Sequence, residues 1–175
     1  FSSFDAILTV LEVRLTEMLE VQEEMNKKIS GDVYAIWEKP LELRQGLIVI
    51  ADESAYSCVE RIRDKPDGDI VQDLLIRLHA KAIQISKEIL TLLKSGLSNG
   101  AQARWRTLHE VAVIATFISD HGRVVAEQYI DHENVEIYKA AVQYNDYYTR
   151  LGAEPISPKE IEVLKRDYES LLDKY

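Results

Sequence analysis

A chain of 175 residues with 46% hydrophobic and 29% charged residues has the composition of one soluble globular domain large enough to bury a core. Its net charge of −9 argues against coating of nucleic acid by the whole surface. The single cysteine, Cys58, excludes an internal disulfide framework and fits a reducing compartment.

The longest apolar runs fall short of a membrane span, and the N-terminus lacks a signal pattern. A cytoplasmic protein without membrane contact is therefore expected. The first residue is not Met and a helical pattern runs to Tyr175, which suggests a segment trimmed from a longer chain. Residues 1–175 read as a single helical domain.

Along residues 4–29, Phe4, Ile7, Leu8, Leu11, Leu15, Met18, Leu19, Gln22 and Met25 follow three-four spacing, the mark of an amphipathic helix. Ser3 offers an N-cap and Ser30-Gly31 a stop. Its glutamates read as a solvated face. The paired Glu-x-x-His pattern of a di-metal bundle is absent.

Residues 32–38 predict a short helical turn ended at Lys39-Pro40, with Trp37 as a packing aromatic. Pro40 then opens a helix to about Arg63, along which Cys58 reads as a buried thiol. Lys65-Pro66-Asp67-Gly68 is a turn.

Asp69 caps the next helix, which carries a broad apolar face to about Lys94 and ends at Gly96. Within it His79 reads as a core or boundary histidine. The turn Gly96-Leu97-Ser98-Asn99-Gly100 leads into a helix to about Asp120, so residues 69–120 form a hairpin of two long antiparallel helices. From Leu74 to His109 the chain has six Lys or Arg against one acid, Glu88. That basic segment fits either a phosphate-bearing ligand or packing against acidic helices of the same chain.

The hairpin's second helix holds the densest polar group: Arg104, Trp105, Arg106, Thr107, His109 and Glu110. The run VAVIATFI that follows is expected to be buried on most sides. Arg106, Glu110, Val113 and Phe117 fall on one stripe, so Arg106 and Glu110 can pair at the mouth of an apolar face. Two roles stay open for the group: a partly buried ion pair locking the helix to a neighbour, or a site for anion binding or acid-base chemistry.

After Gly122, residues 123–130 predict a short helix and residues 131–134 a turn. Asp131, His132 and Glu133 are consecutive and diverge on a helix, which argues against a metal site. A Tyr-rich helix over 135–151, a loop at 152–158 and a final helix opened by the capping box Ser157-Pro158-Lys159-Glu160 complete the chain. The expected fold is all-α, a bundle of about six or seven helices around the long antiparallel helical hairpin, with no metal or other cofactor.

Two resemblances arise at the central helix. Arg106-Thr107-Leu108-His109-Glu110, after a Gly-containing turn between two long helices, resembles the Arg-Thr-Leu-x-Glu signature of an uncharacterised, mainly bacterial, all-helical family of unknown function. That resemblance covers residues 35–150 and implies fold and helix order. Arg104 and His109, with four residues between them, resemble the Arg-x4-His motif of the HEPN superfamily of helical RNases.

The second resemblance implies a metal-independent ribonuclease of bacterial stress or phage defence acting as a homodimer. It implies His109 as acid-base group on the RNA 2′-hydroxyl and Arg104 stabilising the phosphate. Five positions apart on one helix, those two side chains point about 140° from each other. The alternative is a non-enzymatic interaction or sensor module that binds another protein and carries Arg106 and Glu110 as a structural pair.

Overall fold

A computed structural model describes residues 2–63 and 69–174. The described residues form five α-helices and no strand: α1 (Ser2–Arg63), α2 (Ile70–Lys94), α3 (Ser98–His121), α4 (Arg123–Tyr147) and α5 (Pro158–Lys174), with a 3-10 turn at Tyr148–Leu151. The all-α class agrees with the sequence pattern. The helix count is lower than six or seven because three expected breaks do not occur.

The first is at Ser30-Gly31. A glycine in a helix interior costs about 1 kcal/mol relative to alanine, which is too little to stop a helix that is packed beyond it. The expected break at Lys39-Pro40 is instead a kink inside α1. Trp37 has φ −117° and ψ 17° there. A proline ring clashes with the carbonyl four residues earlier and removes one helical hydrogen bond, so Pro40 bends the helix just ahead of itself without ending it. The third missing break is at residues 131–134, which continue α4 as helix. The turn at residues 65–68 lies outside the described residues.

The chain divides into two compact units, Phe1–Asp67 with Ile76–Ala115, and Gly68–Leu75 with Thr116–Tyr175. In the first, α1 and α2 run antiparallel. Lys87 Nζ meets Asp52 at 2.8 Å and Lys94 Nζ donates to Gln45 at 2.9 Å, so moving forward seven residues on α2 moves back seven on α1. Leu41, Ile48, Ile83 and Leu90 form the buried seam between them. His79 sits half-buried beside this seam, with Nε2 2.9 Å from the Ala51 carbonyl oxygen, in keeping with a boundary histidine.

The hairpin is closed by a Schellman turn. Gly96 adopts φ +74°, with Leu97 N donating to Leu92 O at 2.8 Å and Gly96 N to Leu93 O at 3.0 Å. Beyond it, Ile85, Ile89 and Ala101 are buried together, with Leu92, Leu108 and Val111 packed against them.

In the second unit α4 and α5 pack antiparallel. Tyr138 and Tyr168 lie with ring centroids 4.7 Å apart, and Lys174 Nζ reaches Asp131 at 2.7 Å. The connection is tied by Asn145, which exchanges two hydrogen bonds with the Ile156 backbone, and by the Tyr144 hydroxyl donating to Glu154 O at 2.9 Å. The capping box forms as expected: Ser157 Oγ donates to Glu160 Oε2 at 2.6 Å and accepts from Glu160 N at 3.3 Å. Among the described residues no helix is long and apolar enough to cross a membrane.

Candidate functional site

The polar group of α3 is positioned by the face that α3 turns inward. Ala101, Arg104, Leu108 and Val111, at spacings of three, four and three, face α2. Arg104 belongs to this inner face. Its guanidinium is ion-paired with the Glu88 carboxylate of α2, both side chains being about a third exposed. Its Nε is buried without a hydrogen-bond partner. Of the hairpin's other bases, Lys87 pairs with Asp52 and Lys94 bonds Gln45. Lys87 and Arg104 are thus neutralised by carboxylates of their own unit.

With that face inward, the remaining residues of the group turn to water. Arg106 and Glu110 are exposed and make no ion pair with each other. The expected structural pair is therefore not formed. Its four-residue spacing permits contact, but a solvated pair of this kind gains so little that the two side chains need not hold one geometry.

The apolar stretch after Glu110 also departs from the sequence reading. Val113 is 54% exposed and Phe117 51% exposed, and of the run VAVIATFI only Ile118 is buried. The stripe through 106, 110, 113 and 117 was the wrong one to assign to a core.

What the outward side does contain is an aromatic ridge. Trp105 is 56% exposed, and its indole stacks on the His109 imidazole with centroids 6.0 Å apart and planes 16° from parallel. Val113 follows four residues on. Trp105, His109 and Val113 thus line one edge of α3, with Arg106 and Glu110 beside them. Arg104 and His109 are not brought together within the chain: one faces α2, the other faces solvent.

Sequence reasoning missed a second feature. A cleft of about 580 Å³ opens at the α1 kink, lined by Trp37, Pro40, Leu41, Arg44, Leu93 and Ser98 among others. Its lining is mostly apolar, and Arg44 Nε is buried without a partner. Trp37, expected as a packing residue, is instead 57% exposed at this cleft. The signal available was Trp37 three residues before Pro40, the place where a kink uncovers a side chain. Cys58, expected to be buried, is also exposed. No group of His, Cys, Asp and Glu able to hold a metal ion occurs among the described residues.

A helical hairpin flanked by a long kinked helix, with an aromatic ridge on its second arm, defines an all-helical protein whose distinguishing surface lies on α3. The chain belongs to a family of unknown function, DUF5677, whose model matches residues 72–175. The match takes in α2 from its first turn and all of α3, α4 and α5. It begins later and ends later than the 35–150 span of the sequence resemblance. No curated protein and no solved structure matches the chain. Nothing in the comparisons supports the HEPN resemblance.

Proposed function

We propose that the chain is a protein-interaction module that docks a partner protein on the outward face of α3. The observation that carries this reading is the exposed Trp105–His109 stack continued by Val113. Large aromatic side chains with an apolar body and a polar edge are enriched among the few residues that carry most of the binding energy at protein interfaces. Arg106 and Glu110, exposed beside the ridge, offer charges of both signs for a polar rim. The test is a photo-crosslinking residue in place of Val113, with one in place of Lys159 as control. The reading predicts a discrete protein adduct from position 113 and none from 159. Crosslinking at neither position contradicts it.

A second reading, RNA binding or cleavage with Arg104 and His109, draws on the same stack, because an exposed aromatic pair is also a surface on which bases stack. Here His109 would serve as the acid-base group and Arg104 as the phosphate partner. The ion pair with Glu88 and the divergence of the two side chains weigh against catalysis by a single chain. Incubation with mixed cellular RNA, comparing wild type with His109→Ala and Arg104→Ala, separates the readings. Cleavage lost in both variants, with circular dichroism unchanged, supports the second; no cleavage, or equal cleavage in all three, leaves the first.

A further inference from the structure

We infer that the amino-terminal arm of α1 pairs with the same arm of a second copy of this chain as a parallel two-stranded coiled coil. Leu8, Leu11, Leu15, Met18, Gln22, Met25 and Ile29 recur at alternating spacings of three and four, the a and d positions of a heptad. Every apolar member of that series is exposed, from Leu8 at 42% to Met18 at 69%. Cover for α1 begins where Ile29 and Val33 approach the hairpin turn at Gly96. From Ile7 to Lys28 the arm is a helix of about 33 Å with an apolar stripe turned to water. A helix of that length gains its stability from packing an apolar face, not from propensity.

The occupant follows from charge, area and one polar residue. Glu17, Glu20, Glu23, Glu24 and Lys27 all fall at b, c or f, away from the seam, and Glu23 pairs with Lys27 on the same helix at 2.7 Å. In a parallel pair, a g residue meets the e residue five positions on in the other copy. Ile7 then meets Glu12, Arg14 meets Leu19, Val21 meets Asn26 and Lys28 meets Val33, so no like charges oppose. Ile7, Leu19 and Val21 widen the seam, while Val10 and Val13 stay outside it.

The six apolar a and d side chains expose on the order of 100 Å² each, giving about 1,200 Å² for two copies, the lower end of what specific interfaces bury. The flanking e and g residues add to this. Gln22 sets the orientation. In register and parallel, it faces its own copy, where two amides can hydrogen-bond. Antiparallel pairing in the a-to-d register would bury it against Leu11 with no partner across the seam. Its Nε2 donates to Asn26 at 3.1 Å, which leaves its amide oxygen and second N–H for the other copy.

The test is mass in solution by light scattering, on the whole chain in a Cys58→Ser background. The pairing predicts twice 20.1 kDa. It predicts 20.1 kDa, with helix content retained, for Leu15→Glu combined with Met18→Glu, and no change for Glu17→Lys combined with Glu20→Lys. Under oxidation, Gln22→Cys gives a disulfide-linked pair of chains and Glu20→Cys does not. A wild-type mass of one chain, or a mass unaffected by the Leu15 and Met18 changes, overturns the pairing; failure of Gln22→Cys to link overturns its parallel register.

Discussion

Gly96 joins the hairpin to α1, and replacing it with alanine separates two costs. The residue holds φ +74°, a region in which a side chain costs about 1 kcal/mol. A Cβ there would also stand 2.7 Å from Ile29 Cγ2 and 3.8 Å from Val33 Cγ2. Ile29 is β-branched and helical, so χ1 is held in one rotamer and the methyl cannot simply swing aside. Forcing such a contact costs on the order of 1–3 kcal/mol. Gly96→Ala should therefore lose about 2–4 kcal/mol of unfolding free energy.

Gly122 provides the control. Its φ is +70°, but nothing lies within 4 Å of the Cβ position, so Gly122→Ala should lose only about 1 kcal/mol. Urea unfolding followed by circular dichroism measures both. Ile29→Ala in the Gly96→Ala background should recover the steric part, giving a coupling energy above about 1 kcal/mol in the double-mutant cycle. Equal losses at the two glycines, or a cycle with no coupling, would refute the placement of α1 against the hairpin turn.

Ile85 is wholly buried between α2 and α3, and Ile85→Ala should cost about 2–5 kcal/mol by urea unfolding. Arg104→Ala should cost only about 1 kcal/mol, because the Glu88 pair is a third exposed; a loss several times larger would show that Glu88 is left desolvated. The Ser157 hydroxyl and backbone N–H hold the Glu160 carboxyl below its ordinary pKa. A depressed folded pKa gives stability that is present above the unfolded value and is lost as pH falls through the folded one. Amide-exchange protection factors over the first turn of α5, taken relative to the intrinsic rate at each pH, should therefore fall on acidification through the carboxylate range, and Glu160→Gln should remove that dependence.

The sequence made the all-helical class, the hairpin and the capping box at Ser157 readable because each has a local cause: apolar periodicity, a glycine with positive φ, a serine three residues before a glutamate. The orientation of α3 was not readable in the same way. Its inner face is built from Ala101, Arg104, Leu108 and Val111, a small residue, a cation and only two large apolar groups. The more apolar stripe through Val113 and Phe117 faces water. A periodicity argument selects the stripe with more carbon, and here the small and charged residues mark the contact because a neighbouring helix supplies Glu88. Kink and break at Pro40 are likewise indistinguishable in sequence, since the same ring clash produces either, and the packing on both sides decides.

The docking role of α3 is tested most directly by capture of proteins from nuclease-treated extracts of the source cells, quantified by mass spectrometry for wild type beside Trp105→Ala. Trp105 is more than half exposed and stacks on the exposed His109, so the substitution should leave the fold unchanged by circular dichroism. The account predicts a small set of proteins held by wild type and lost at least tenfold in the variant. The same proteins captured equally by both would contradict it.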